Sequence, residues 1–284
     1  MRKVAVIGVG ITKFGEHWEK GLRDLALEAG IAALRDAKIS GDKIDAGYVG
    51  NMAGGSFAGQ EHIGALLADQ LGLNPIPVTR CEAACASGSV ALRQGVISVA
   101  SGMHDIVVVG GLEKMTDLDT GQVTKILGGA GDQEWELFHG ATFPALYSLL
   151  ARSYFNEFGA TEENLADVAV KNHKHAVNVP YAQFPREITR ETVMNSKYIA
   201  SPLKVFDSSP ITDGAAAVIL APLDEATSYT DKPVEIVACE QASDTTALHD
   251  RASLLELNAT KVAAQKAYKK ANLTPKDIQV AEVH

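Results

Sequence analysis

Cys85 stands in Glu82-Ala83-Ala84-Cys85-Ala86-Ser87-Gly88-Ser89, immediately ahead of a long apolar stretch with helical spacing. A thiol at the start of a helix has a chemical use. The first turn carries unpaired N–H groups and the positive end of the helix dipole, and both stabilise a thiolate. The position therefore predicts a lowered pKa and a good nucleophile. Ala83, Ala84, Ala86, Ser87 and Gly88 are small and leave room for a bulky substrate. A buried structural cysteine is the other reading of the same residue. The local sequence leaves both open.

The remaining reactive side chains are weaker candidates. Cys81 and Cys85 form a Cys-x-x-x-Cys pair, but no second Cys or His pair has zinc-like spacing, which argues against a metal site. Cys81 is read as a small neighbour of the nucleophile and Cys239 as a core residue. Gly8-Val9-Gly10 follows a strand-like run, yet Lys13 stands where a dinucleotide-binding loop needs its third glycine, so a turn is expected instead. His173 and His175 lie in a polar helical stretch and are expected to be solvated.

These residues need elements to hold them. Lys3–Gly8, Gly47–Asn51, Pro77–Arg80, Ile106–Gly110, Ala215–Ala221, Val234–Ala238 and Ile278–Val283 read as strands. Gly21–Lys38, Glu61–Leu71, Cys85–Ser101, Pro144–Phe158, Glu162–Val177 and Ala252–Ala271 read as helices, the fifth with Thr161 as its N-cap. Such alternation predicts an α/β fold. Residues 116–200 break it and read as an insertion. The segment Ala37–Val49 is echoed by Ala271–Val283, each preceded by an Ala-rich helix, which points to two halves of one topology. The second copy stops early, so the second half is expected to be incomplete.

The chain has 284 residues, is 46% hydrophobic and 21% charged, and carries a net charge of −9, the composition of a globular protein with no basic surface for nucleic acid or anionic membrane. Three cysteines are too few for a disulfide framework and favour a reducing cytoplasm. Met1–Gly8 reads as a short strand ending in glycine rather than a signal peptide.

Several segments resemble thiolases, in the same order. Cys85-Ala86-Ser87-Gly88 is similar to the nucleophile motif, and Val107–Met115 to the strand and Gly-Gly turn that follow the nucleophile helix. His139-Gly140-Ala141-Thr142 resembles the segment that touches coenzyme A. Asp213–Val218 resembles the Asp-Gly-Ala-Ala strand, and Ala281-Glu282-Val283-His284 the start of a His-Asp-Cys-Phe motif found in the archaeal and sterol-carrier branch. The resemblance implies a thiolase fold: two similar α-β-α halves in five layers with an inserted loop domain. Residues 1–115 and 201–222 would form the first half, 116–200 the loop domain and 223–284 the start of the second half. It implies acetyl-CoA C-acetyltransferase chemistry, with Cys85 as nucleophile, His284 in an oxyanion hole and His139 against coenzyme A, a substrate rather than a bound cofactor. It further implies a homodimer or homotetramer, a role at the head of the mevalonate route to isoprenoids, and a complex with hydroxymethylglutaryl-CoA synthase through an OB-fold bridging protein. The family's Gly-His-Pro and Cys-x-Gly segments, which supply the activating His and the acid/base Cys, do not occur in these residues and are expected beyond His284. Two other readings compete. One is a non-catalytic, acyl-CoA-binding or scaffolding subunit. The other is a ketoacyl-synthase-type condensing enzyme, which the Ala-Glu-Val-His ending disfavours.

Overall fold

The computed structural model describes residues 1–284. In chain order the elements are β1 (Val4–Ile11), α1 (Leu22–Asp36), β2 (Ala46–Gly50), α2 (Gly54–Ala58), α3 (Ile63–Gln70), β3 (Val78–Cys81), α4 (Ser87–Ser101) and β4 (Val107–Glu113). Then come α5 (Thr120–Gly128), α6 (Phe143–Phe158), α7 (Glu162–Ala176), α8 (Arg190–Met194), β5 (Tyr198–Ala200), β6 (Leu203–Lys204), β7 (Gly214–Pro222), β8 (Val234–Glu235) and α9 (Asn258–Ala271). Six strands form one mixed sheet in the order β3-β2-β4-β7-β1-β8. β3, β2 and β4 run parallel, and β7 is antiparallel to both β4 and β1.

Helices α1 and α3 cover one face of this sheet and α4 covers the other. β7 lies between two strands and between two helical layers, which is why Gly-Ala-Ala-Ala-Val-Ile-Leu-Ala-Pro is apolar without alternation. Leu25 on α1 and Ile219 on β7 are fully buried in the larger core. Truncating such a residue to Ala costs about 2–5 kcal/mol. Gly8 and Gly10 do not make the expected turn. They lie inside β1, and a Cβ on Gly10 would come within 2.1 Å of the Ala29 carbonyl of α1. The glycines let the helix press onto the strand, so their backbone is extended rather than turned.

The inserted region between β4 and β7 has its own small core of Ala166, Ala169 and Val193, backed by Phe206. Its β5–β6 hairpin continues past residue 200. α6 starts cleanly: Thr142 Oγ1 accepts a hydrogen bond from Ala145 N at 3.3 Å, Pro144 occupies the first turn, and Gly159 closes the helix in the left-handed region. Thr161 is the N-cap of α7, where Asn164 Oδ1 accepts from Thr161 N at 2.9 Å.

The C-terminal portion departs most from the sequence reading. The expected strand Val234–Ala238 is only the two residues of β8 at the sheet edge. α9 begins at Asn258, not Ala252. The echo of Ala37–Val49 holds through the helix and a following single 3-10 turn, Gly41–Lys43 in the first copy and Pro275–Asp277 in the second. It then fails, because Ile278–Val283 is not a strand. A strand forms by pairing its N–H and C=O groups with a neighbour. The segment pairs with none of the eight strands, and Val280 is 87% exposed. No helix is long and apolar enough to cross a membrane.

Candidate active site

At the carboxyl ends of the three parallel strands Gly50 is in register with Cys81 of β3 and Gly111 of β4, and β4 runs on to Glu113. Segments leaving the carboxyl ends of these strands line a cleft of about 1360 Å³: Met52 and Ala53 after β2, Glu82–Ala84 after β3, and Leu118 and Thr120 after β4. Gly140–Thr142, ahead of α6, form the opposite wall together with residues of α5. Sites in open α/β sheets form at such carboxyl ends.

Cys81 closes β3 and is buried, whereas Cys85 lies in a short 3-10 turn, Ala84–Ala86, ahead of α4. The two cysteines share no helix face. Between them Ala84 adopts φ +48°, a left-handed conformation unusual for a residue with a side chain. Such a residue costs about 1–3 kcal/mol and persists only when its surroundings hold it. Here Ser87 Oγ accepts from Ala83 N at 3.0 Å and donates to Ala84 O at 2.6 Å, and Glu82 accepts from Ala84 N. The locked turn leaves Cys85 exposed at the mouth of the helix. Gly50 permits this geometry, since a Cβ there would stand 2.5 Å from Gly88 N at the start of α4.

The thiol itself corrects the expectation. Burial of the sulfur among its neighbours pushes Cys85 above the ordinary thiol value, and the pull of its own N–H does not compensate. Although the residue has an open surface, the surrounding protein reduces the water available to solvate a thiolate. The dipole effect is confined to the first turn of a helix, and Cys85 sits in front of α4 with no basic side chain acting on it. Cys239 is half-buried rather than core, and burial raises it too.

His284 stacks on Tyr147 of α6, with ring centroids 6.4 Å apart and planes 17° apart. Burial raises the Tyr147 phenol, and the neighbouring Cys85 raises it further, while Arg251 opposes both. Tyr147 thus lies against His284 and within electrostatic reach of Cys85. His139 is not part of that cluster. It is exposed and packs edge-on against Phe138 at 5.3 Å, although Gly140, Ala141 and Thr142 beside it line the cleft. His173 is half-buried rather than solvated, hydrogen-bonded to Arg186 O at 3.0 Å, while His175 is exposed. No group of three His, Cys, Asp or Glu side chains could hold a metal.

Two buried polar assemblies support the cleft and escaped the sequence reading. Glu113 at the end of β4 accepts from Met52 N at 2.8 Å and Asn51 Nδ2 at 2.9 Å, and Arg80 donates to Asn51 O and Met52 O. Burial pushes the Glu113 carboxyl up against the pull of these bonds. They fix the loop that carries Met52 and Ala53. At the root of the inserted region Lys114 donates to Asp213 at 2.8 Å and to Asp117 at 2.6 Å, and Asp213 also accepts from Met115 N and Thr116 N. A Lys and an Asp ninety-nine residues apart carry no pairing signal in sequence. Tyr147 had one, since Phe143 and Tyr147 are an aromatic pair four apart on a helix.

Comparison with known proteins gives the family. Residues 4–224 match the family model described as Thiolase, N-terminal domain. Over all 284 residues the chain is 55% identical to an acetyl-CoA acetyltransferase of Methanothermobacter thermautotrophicus and spans 74% of that protein. It is 34% identical to sterol carrier protein 2 of Homo sapiens, with 100% of this chain and 54% of that protein covered. A solved structure of an Ltp2-ChsH2(DUF35) aldolase superposes with a TM-score of 0.81 at 25% identity, covering 97% of this chain and 71% of that one. The acetyl-CoA acetyltransferase of Syntrophomonas wolfei shares the fold, with a TM-score of 0.76 at 18% identity over 98% of this chain and 77% of that one. With residues 4–224 matched and the archaeal identity running from end to end, the chain belongs to the thiolase family of acyltransferases.

Proposed function

We propose that the protein is an acetyl-CoA C-acetyltransferase that joins two acetyl-CoA molecules into acetoacetyl-CoA. The observation that carries this is the Cys85 thiol, held open by a locked left-handed turn beside a cleft at the carboxyl ends of three parallel strands. The Cys85 thiolate attacks the thioester carbon of acetyl-CoA, the C–S bond to coenzyme A breaks, and the departing thiolate takes a proton. A second acetyl-CoA then loses an α-proton. Its carbanion attacks the acetyl-Cys85 carbonyl, and the Cys85 thiolate leaves. Negative charge develops on thioester oxygens in both steps, and N–H donors aimed at those oxygens lower the barrier. We assign such donors to the Cys85 backbone and the His284 imidazole, and a coenzyme A contact to His139. Because the Cys85 thiol is raised, its activation requires a base, the role the family gives to the His of its Gly-His-Pro segment.

The proposal extends to setting. We place the protein in the cytoplasm, as a homodimer or homotetramer supplying acetoacetyl-CoA to the mevalonate route, in complex with hydroxymethylglutaryl-CoA synthase through an OB-fold bridging protein. The similar structure whose name includes a DUF35 component supports a partner protein for this chain. A second reading is a non-catalytic acyl-CoA-binding or scaffolding subunit, in which the raised Cys85 thiol takes no part in chemistry. Steady-state kinetics of the full-length protein separates the two. Thiolysis of acetoacetyl-CoA by coenzyme A with a ping-pong pattern, abolished in Cys85→Ala, supports the enzyme. No turnover of acetoacetyl-CoA or longer 3-ketoacyl-CoAs, with acyl-CoA still bound, supports the scaffold.

A further inference from the structure

Tyr147 has no role in the chemistry described above, yet it joins three parts of the chain at the thiol. It projects from α6 one helical turn beyond the wall formed by Gly140–Thr142, with Phe143 packed against its edge at 5.1 Å. His284 lies over its ring, nearly parallel at 17°. The charged groups that face its phenol are Cys85 from the turn before α4 and Arg251 from the segment that precedes α9. That segment is tied to the inserted region, since Leu248 N donates to Glu136 Oε1 at 2.7 Å. The Tyr147 ring is the aromatic surface against which the imidazole lies.

The geometry points to Tyr147 as the positioning residue for His284: its ring is a platform that aims the imidazole at the thioester oxygen bound beside Cys85. This rests on the function proposed above. Aromatic pairs with centroids about 4.5–7 Å apart and offset planes are attractive, and a ring already held by Phe143 fixes its partner's plane. A donor displaced by about 1 Å loses up to roughly 100-fold in rate. Misorienting His284 therefore lowers kcat, while binding of coenzyme A, made elsewhere in the cleft, is unaffected.

The test is a double-mutant cycle in the full-length protein, with Tyr147→Ala, Tyr147→Phe, His284→Ala and the Tyr147→Ala/His284→Ala pair. Tyr147→Ala should lower kcat for thiolysis by about 10- to 100-fold with KM for coenzyme A within about twofold. Tyr147→Phe should recover most of that loss, since the platform remains. The double variant should be no slower than His284→Ala alone. The ring-current shift of the His284 ring protons, read by NMR without turnover, should survive in Tyr147→Phe and vanish in Tyr147→Ala. The inference is overturned if the two losses multiply, if Phe is as impaired as Ala, or if the His284 resonances do not move in Tyr147→Ala. A parent protein without thiolysis activity instead refutes the acetyltransferase reading, and the NMR arm still decides the contact.

Discussion

Replacing Asp213 with Ala should cost more than any surface change, because of what it leaves behind. Asp213 has 0% exposure, and its partner Lys114 has 2%. The change removes the carboxylate that Lys114 meets at 2.8 Å and leaves Met115 N, Thr116 N and His17 N without their acceptor. Breaking one side of a buried pair costs about 3–5 kcal/mol, chiefly through the charge stranded in the interior. Asp117, half exposed at 2.6 Å from Lys114, softens this, which places the loss near the lower bound. At about 2–4 °C per kcal/mol for a domain of this size class, Tm should fall by roughly 6–12 °C. Thermal unfolding followed by circular dichroism measures it. Lys114→Met/Asp213→Leu should lose less than Asp213→Ala, because no charge is stranded. The pH dependence follows from the same contacts. Burial alone would raise Asp213, but the hydrogen bonds from Lys114 and Thr116 hold it below 3.8. Its contribution is therefore complete above about pH 3.8 and is lost as pH falls through its lowered folded value. Burial alone would lower Lys114, but the bonds to Asp117 and Asp213 hold it above 10.5. That contribution is present below about pH 10.5 and is lost as pH rises through its raised folded value. An Asp213→Ala protein that melts within 2 °C of the parent would refute the reasoning.

In the 284-residue chain, alkylation of Cys85 by iodoacetamide should accelerate about tenfold per pH unit and keep rising past pH 9.0, and it should outpace Cys239, which is less exposed. A plateau below pH 8 would mean that an activating group lies beside the thiol. Gly50→Ala should destabilise by about 1–3 kcal/mol and reduce activity, since its Cβ meets the backbone of Ser87 and Gly88 at 2.5 Å and displaces the start of α4. Unchanged melting and turnover would show that β2 and α4 can separate freely. Thr142→Ala removes the α6 cap and should cost only about 1 kcal/mol in a urea titration, so a loss several times larger would point to a further role at the cleft wall.

The positions of the main strands and helices were legible in the sequence because each has its own local cause. Apolar runs alternating with helical patterns marked β1, β2, β4 and β7, and the cap Thr161 marked the start of α7. Cys85 was legible as a candidate nucleophile from its small neighbours and the helix that follows. Its pKa was not, because burial is set by everything that surrounds the sulfur, and only the folded chain shows that burial outweighs its own N–H. The left-handed Ala84 was invisible too: an alanine carries no signal for φ +48°, and the conformation survives because Glu82 and Ser87 hold it. Gly8 and Gly10 looked like a turn and proved to be a contact surface, since what decides is α1 arriving from elsewhere in the chain. Ile278–Val283 has strand composition and is no strand, because β structure belongs to a pair of segments, not to one. The same distinction runs through the site. Residue types and caps are properties of neighbours in sequence, whereas the meetings of Lys114 with Asp213, of Glu113 with Met52, and of His284 with Tyr147 exist only where the topology brings distant strands and helices together.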